Sequence, residues 1–202
     1  MTTDPMEDLS QARLAALFDA AATHPVPGGG SISAVAGYLG ISLLLKAIRI
    51  SARKQRRDCA DIAVEGKLLA LSARLLALAK LDSEAYGEYM KALQLPRGSD
   101  AEKELRTRAV GDASVTATEV PLDILDLGNE VLEVAGQVRD GILPAIVADV
   151  TAGVELVSAM SSVARENALA NLPGVAAPDA LRERLSQAVA RRGTLLAAFK
   201  DG

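Results

Sequence analysis

Two aspartates are the side chains in this sequence best suited to moving protons. Asp149 follows the apolar residues 144–148, and Asp82 lies with Glu84 on a segment of helical periodicity. A carboxylate in an apolar setting either has a structural partner or has a raised pKa that suits proton transfer. Carboxylates on helix surfaces are mostly solvated, so the residues alone leave both roles open for Asp149 and Asp82.

A glycine-rich stretch is the second candidate for chemistry. It reads Pro27-Gly-Gly-Gly-Ser31 and precedes a long apolar helix. Glycines permit positive φ and close backbone approach, and a helix N-terminus offers unpaired N–H groups and the positive end of a dipole. The pattern predicts either an anion or carboxylate site at Gly28, Gly29, Gly30 and Ser31, or a flexible connection. A P-loop is excluded, because no Lys-Ser or Lys-Thr pair follows the glycines and no strand precedes them.

Basic and amide side chains form two further clusters. The run Arg53-Lys-Gln-Arg-Arg57 ends an apolar helix, where cations also interact favourably with the helix dipole. Asn167 and Asn171 are four residues apart and share a helix face. Asp149 and Asn167 also lie on one face of the predicted helix, but along an unbroken helix they would be roughly 27 Å apart. They reach one reacting centre only if the helix bends, for example near Gly153.

Composition indicates one helical domain over residues 1–202. Aromatic residues supply only 2% of the chain, so the core must be built from Leu, Ala, Val and Ile, which suit close-packed helices. The net charge of −4 argues against nucleic-acid binding. Cys59 is the single cysteine, which excludes a disulfide within the chain and a zinc site built from cysteines. His24 is the single histidine, which argues against a metal site built from histidines.

The sequence predicts neither a leader peptide nor a membrane span. Its first residues are acidic where a signal peptide is basic. The longest apolar run, residues 32–48, contains Gly37, Gly40 and Lys46 and is shorter than the roughly 20 residues that a spanning helix needs. We therefore expect a soluble, cytoplasmic protein that binds no membrane.

Helical periodicity runs through almost the whole chain and predicts an all-α fold. Helices are expected from residue 8 to about 20, from 31 to 49, from the basic run to about 95, and then over 100–120, 122–139, 144–171 and 178–198. Ser99 or Asp100 is expected to cap the fourth of these helices. Pro121 either starts a new helix or kinks the old one. No alternating strand pattern is present.

Two of these helices are apolar on more than one face, namely residues 32–48 and 142–163. A helix that is hydrophobic all round must be buried all round. In a domain this small, a second subunit is the expected source of that burial, so the sequence predicts a homodimer.

The order of the motifs resembles one known family. The stretch Pro-x-Pro-Gly-Gly-Gly-Ser is followed by a helix of small residues and then by Asp82-x-x-x-Tyr86, Leu95-Pro96, Ala117-Thr-Glu-Val-Pro121, Asp149 and Arg-Glu-Asn-Ala-Leu-Ala-Asn171. In this order, from about residue 10 to 195, the chain resembles the cyclodeaminase/cyclohydrolase family. That family includes the cyclodeaminase half of formiminotransferase-cyclodeaminase and bacterial methenyltetrahydrofolate cyclohydrolases.

The resemblance implies an all-helical homodimer that acts on folate one-carbon derivatives. In cyclohydrolysis, water adds to the amidinium carbon of 5,10-methenyltetrahydrofolate and the ring opens to 10-formyltetrahydrofolate. In cyclodeamination, N10 attacks the formimino carbon and ammonia leaves. Both reactions need a proton acceptor and donor rather than a metal, so we expect no permanently bound cofactor and a tetrahydrofolate derivative as substrate.

The resemblance also implies roles for particular residues. Asp149 and Asp82 are the expected catalytic residues. The expected substrate-binding residues are Gly28, Gly29, Gly30, Ser31, Arg53, Lys54 and Asn167. Within this set, the basic side chains are expected to receive the glutamate tail of a folate, for which paired guanidinium groups are well shaped.

Two stretches differ from the family's usual residues. Residues 53–57 read Arg-Lys-Gln-Arg-Arg in place of Gly-Lys-Lys-Lys-Tyr, and residues 141–145 read Gly-Ile-Leu-Pro-Ala in place of a stretch with Gly-Asn-Pro-Asn. We expect a cyclohydrolase, because no formiminotransferase domain accompanies these residues. The alternatives are a formiminotetrahydrofolate cyclodeaminase, an enzyme of the same fold acting on another imine or amidine, and a non-catalytic ligand-binding or scaffold homologue.

Overall fold

The computed structural model describes residues 13–55 and 59–201. Within these ranges the chain forms six α-helices and no strand, which confirms the predicted all-α class. The helices are α1 (Leu14–Thr23), α2 (Gly29–Gln55), α3 (Cys59–Leu93), α4 (Asp100–Val138), α5 (Val147–Asn171) and α6 (Asp179–Asp201). Short 3₁₀ turns cover Arg139–Gly141, Pro144–Ile146 and Leu172–Gly174.

Helices α2 to α5 form the central bundle. α2 packs on α3 and α5, α4 packs on the same two helices from the opposite side, and α6 covers α4. The core contains leucine, isoleucine, valine, alanine and methionine, with Leu44, Leu68, Leu125 and Met160 fully buried among them. This agrees with the core that the composition predicts.

Small residues bring α2 and α5 into close antiparallel contact. A Cβ atom added to Gly40 would lie 2.7 Å from the Gly153 carbonyl oxygen, and one added to Gly153 would lie 2.8 Å from the Gly40 oxygen. Such distances are too short for any side chain, so both positions require glycine. Gly153 therefore marks a close crossing of two helices and not a break in α5, which is continuous.

The helix boundaries confirm one sequence prediction and correct another. Ser99 is the N-cap of α4, because its Oγ accepts a hydrogen bond from the Glu102 amide at 3.2 Å while Glu102 accepts one from the Ser99 amide at 2.7 Å. Of the two alternatives for Pro121, the start of a new helix is wrong, since α4 runs through this residue. The Ala117 carbonyl, which the proline leaves without a helical donor, accepts a hydrogen bond from Asn171 Nδ2 at 2.5 Å.

The two central helices α3 and α4 are longer than their neighbours. α3 has 35 residues and α4 has 39, against 27 in α2 and 25 in α5. Asp82 of α3 lies beside the start of α2, and Ala117 of α4 lies beside the end of α5. Residues 83–93 and 100–116 therefore continue past the ends of α2 and α5, and we call this part the α3–α4 hairpin.

Among the residues that the structure describes, two segments are long and apolar enough to cross a membrane by length and composition. They lie within Gly29–Gln55 and Pro144–Gly174, whose most apolar 18-residue stretches have mean hydropathies of 1.7 and 1.5. The expectation that the first apolar helix is too short for this is wrong, because α2 extends beyond residues 32–48 at both ends. Within one subunit, 56% of the most apolar 18-residue stretch of the first segment is buried, and 33% of that of the second segment. Both helices thus keep an apolar surface that faces outward.

Candidate functional site

A cavity of about 310 Å³ lies at the base of the α3–α4 hairpin, where α2 begins and α5 ends. Its size is at the lower end of the range for small-molecule sites. The lining residues come from the loop before α2, from the first turn of α2 and from α3, α4 and α5: Pro25, Val26, Gly28, Gly29, Gly30, Asp82, Ser83, Ala85, Tyr86, Tyr89, Ala117, Asn167, Ala170 and Asn171.

The carboxylate of Asp82 rests directly on the first turn of α2. It accepts hydrogen bonds from the Ser31 hydroxyl at 2.9 Å and from the Ser31 backbone amide. A Cβ atom on Gly30 would lie 2.5 Å from both carboxylate oxygens, so only glycine permits this contact. The sequence predicted a carboxylate or anion at the glycines, and the structure places the protein's own carboxylate there.

Burial makes Asp82 a suitable group for proton transfer. Removal from water raises the pKa of the Asp82 carboxyl above its ordinary value, and the two hydrogen bonds from Ser31 oppose that rise. A carboxyl whose pKa is raised in a cavity binds and releases a proton closer to neutral pH than an ordinary aspartate does. The cavity can therefore support general acid–base chemistry at this side chain.

The glycine stretch serves close approach and not unusual backbone torsion. Of the two properties that glycine permits, the structure uses close approach, since no glycine in the described ranges has positive φ. Gly28 and Gly29 have space for a Cβ atom, with the nearest atoms at 3.8 Å, in contrast to Gly30. The amides of Gly29 and Gly30 have no acceptor among the described residues, as expected for the first turn of a helix. These two N–H groups remain available to a ligand.

Aromatic and amide side chains form the rest of the wall. Tyr86 and Tyr89 follow Asp82 by four and seven residues, so the three side chains share one face of α3. Asn167, an expected substrate-binding residue, lines the cavity together with Asn171, its neighbour on the same helix face. Tyr89 and Ser83 also line it and were not predicted from the sequence. The spacing of Asp82, Tyr86 and Tyr89 was the available signal for Tyr89.

Asp149 lies at the opposite end of the bundle from this cavity. It is in the first turn of α5 and forms an ion pair with Lys46 of α2, with Nζ and Oδ2 2.9 Å apart. Because α5 continues without a break to Asn171, Asp149 and Asn167 are separated by roughly 27 Å along the helix. Within one subunit, the structure does not bring Asp149 to Asp82 or to the glycines.

Arg53 and Lys54 are also distant from the cavity. They occupy the last turn of α2, roughly 35 Å along the helix from Gly30. A hydrogen bond from Arg49 lowers the pKa of the Glu65 carboxyl, and the charge of Arg53 contributes a smaller effect in the same direction. Arg56 and Arg57 of the same basic run are outside the described residues. The predicted substrate-binding residues thus divide into Gly28, Gly29, Gly30, Ser31 and Asn167 at one end of α2 and Arg53 and Lys54 at the other.

The remaining candidates add no further catalytic group. His24 is exposed at the end of α1, with its Nδ1 2.8 Å from the Thr23 hydroxyl, and it does not line the cavity. The Cys59 side chain lies outside the described residues. In the part of the chain that the structure describes, no three His, Cys, Asp or Glu side chains come together in a group that could hold a metal ion.

Comparison with known proteins identifies the family. Residues 15–190 match the family model described as formiminotransferase-cyclodeaminase. The chain belongs to this family. It is 30% identical over 172 residues to a methenyltetrahydrofolate cyclohydrolase of Methylorubrum extorquens, a match that covers 83% of this chain and 82% of that protein.

Two further comparisons match part of a longer protein or the fold alone. The formimidoyltransferase-cyclodeaminase of Gallus gallus is 34% identical over 98 residues, which cover 47% of this chain and 18% of that protein. The formiminotetrahydrofolate cyclodeaminase of Thermotoga maritima superposes with a TM-score of 0.83 over 96% of both chains, at 20% identity. That likeness establishes a common fold.

Proposed function

We propose that the protein is a folate one-carbon enzyme that hydrolyses 5,10-methenyltetrahydrofolate to 10-formyltetrahydrofolate. The observation that carries this proposal is the match to a methenyltetrahydrofolate cyclohydrolase across more than four-fifths of both chains. The cavity around Asp82 supplies the acid–base group that this reaction needs. The proposed enzyme is one cytoplasmic domain that acts on a folate derivative without a permanently bound cofactor. It binds neither a membrane nor nucleic acid.

In this proposal Asp82 carries the proton of the attacking water. Water adds to the carbon between N5 and N10, and ionised Asp82 takes the proton that leaves the oxygen. The bond between this carbon and N5 then breaks as Asp82 returns the proton to N5. The hydroxyl on the carbon loses its own proton as the formyl C=O forms, so a second acceptor is needed. The cavity amides of Gly29 and Gly30 are free to bind an oxygen of the ligand.

The outward apolar surface of α2 and α5 is the proposed dimer interface. On α2 it contains Ile32, Val35, Leu39 and Leu43, and Leu39 is 51% exposed at the centre of the helix. On α5 it contains Ala152, Leu156, Ala159 and Val163, which are half-buried or exposed. An apolar stripe of this kind on two adjacent helices suits a second copy of the same surface. We call it the outer α2–α5 face.

A two-fold axis through this face would unite the two halves of the predicted site. α2 and α5 are antiparallel, and both extend between the cavity at one end and the Lys46–Asp149 pair at the other. If the axis is perpendicular to these helices and passes near Leu39 and Leu156, each helix packs antiparallel to its copy in the second subunit. The cavity of one subunit then faces Lys46, Asp149, Arg53 and Lys54 of the partner subunit.

This arrangement gives the distant residues a role in catalysis and binding. Asp149 of the partner subunit is the second proton acceptor, which takes the hydroxyl proton as the formyl group forms. Arg53 and Lys54 of the partner subunit lie outside the cavity mouth, where the glutamate tail of a folate would emerge. The ring system of the folate occupies the cavity, with Tyr86 and Tyr89 offering aromatic surfaces to it.

The function is tested by supplying the purified protein with two substrates in parallel. We expect it to accelerate the loss of methenyltetrahydrofolate absorbance above the spontaneous rate measured in the same buffer without protein. We expect a smaller kcat/KM for release of ammonia from formiminotetrahydrofolate. Faster ammonia release would assign the protein to cyclodeaminases instead. Binding of tetrahydrofolate without turnover of either compound would favour the non-catalytic alternative.

A further inference from the structure

Pro121 lies in the interior of α4, where a proline is costly. It has no amide N–H, so the carbonyl of Ala117, four residues earlier, lacks its helical donor. Pro121 is buried, as are Val120 and Leu122 beside it, so water does not reach this part of the helix from their side. Ala117 itself lines the cavity.

The side chain of Asn171 supplies the missing donor. Its Nδ2 lies 2.5 Å from the Ala117 oxygen and joins the end of α5 to α4. A carbonyl oxygen only accepts hydrogen bonds, so the nitrogen of the Asn171 amide must face Ala117 and its Oδ1 must face away. Pro121 thereby fixes which end of the Asn171 amide is presented to the cavity.

The Oδ1 atom of Asn171 is a hydrogen-bond acceptor in a wall that two cavities share. Asn171, Ala117, Tyr89 and Ala170 line both the cavity that contains Asp82 and a neighbouring cavity of about 300 Å³. Among the described residues, the Asn171 side chain has no hydrogen-bond partner other than Ala117. Its Oδ1 is therefore available to a donor on a ligand.

We propose that Asn171 is a ligand-binding residue whose Oδ1 accepts a hydrogen bond from an N–H group on the ring system of the substrate, and that Pro121 is its positioning residue. This rests on the proposed function, since the pterin ring of a folate carries such N–H groups. With an alanine at position 121, the backbone amide competes for the Ala117 carbonyl. The Asn171 amide is then free to rotate, and the acceptor is no longer held toward the ligand.

A double-mutant cycle on binding tests this proposal. The dissociation constant for tetrahydrofolate is measured by calorimetry for the wild type, Pro121→Ala, Asn171→Ala and the double variant. We expect Asn171→Ala to raise it about fivefold, as loss of one hydrogen bond predicts. Pro121→Ala should raise it about threefold with an unchanged or higher Tm, because the helix regains a backbone hydrogen bond. In the Asn171→Ala background, Pro121→Ala should have no further effect on binding.

Two results would overturn the proposal. One is a dissociation constant of Pro121→Ala that equals that of the wild type. This result needs only the one variant, so the test stays valid even if Asn171→Ala does not fold. The other is an equal effect of Pro121→Ala in both backgrounds, which would mean that the proline acts independently of Asn171. Pro178→Ala, at the start of α6, is the control and should leave binding unchanged. A wild type that binds tetrahydrofolate but does not turn over methenyltetrahydrofolate would refute the proposed function and leave this cycle interpretable.

Discussion

Asp82→Asn is expected to lower the kcat for methenyltetrahydrofolate hydrolysis by roughly 10²- to 10⁴-fold, the usual contribution of a positioned acid–base group. The amide keeps the shape of the side chain and can still accept from Ser31, but it cannot take a proton from water. Glu84→Gln is the matched control. Glu84 lies two residues away on α3, is exposed and pairs with Lys80 at 3.7 Å, so this variant should keep wild-type turnover.

The stability of Asp82→Asn distinguishes a catalytic defect from a folding defect. The folded-state pKa of Asp82 is raised, so its stabilising contribution is fully present below the unfolded-state pKa and is lost as pH rises through the folded-state pKa. At neutral pH the variant should therefore unfold at the same temperature as the wild type or higher. Its kcat/KM should also lack the acid-side fall that Asp82 gives the wild type. A lower Tm together with an unchanged pH profile would remove Asp82 from the mechanism.

A heterodimer that combines Asp82→Asn in one subunit with Asp149→Asn in the other is expected to recover activity. Under the shared-site proposal, one site of this heterodimer carries both substitutions and the other carries neither. Its activity should be about half that of the wild-type dimer. Each variant homodimer should retain roughly 1% or less, since each of its sites lacks a proton carrier. Co-expression with two different affinity tags isolates the heterodimer for the assay.

The reciprocal heterodimer is the control for this experiment. One subunit carries both substitutions and the other carries none, so under the shared-site proposal each site lacks one carboxylate and the dimer is inactive. If each site were formed by one subunit, this heterodimer would keep half the activity and the first would have none. A protein that is monomeric at assay concentrations would contradict the dimer proposal itself.

The sequence predicted the helices well because their signals are local. The N-cap at Ser99 and the end of α5 before Leu172 depend on residues adjacent in the chain. The sequence could not choose between a new helix and a continuous one at Pro121, because the group that compensates for the missing N–H, Asn171, lies fifty residues away. A helix-breaking residue can be read locally, but its compensation by a distant side chain cannot.

The site was predicted only in part for the same reason. The glycines indicated a carboxylate or anion, but the carboxylate they accept is Asp82, which only the packing of α3 on α2 brings there. Asp149 was selected for its apolar surroundings, and these belong to an outward helix face beside Lys46. The sequence could give the distance between Asp149 and Asn167 along α5. It could not show which of the two lies at the cavity.

The most direct test of the central claim is a crystal structure of the protein with 5-formyltetrahydrofolate, a stable analogue, at saturating concentration. We predict that the ring system fills the cavity and that its one-carbon group lies within hydrogen-bond reach of the Asp82 carboxylate, at roughly 2.6–3.2 Å or through one water. Asp149 of the partner subunit should lie on the opposite side of that group. A ligand bound elsewhere, with the cavity at Gly30 and Asp82 left open, would contradict this account.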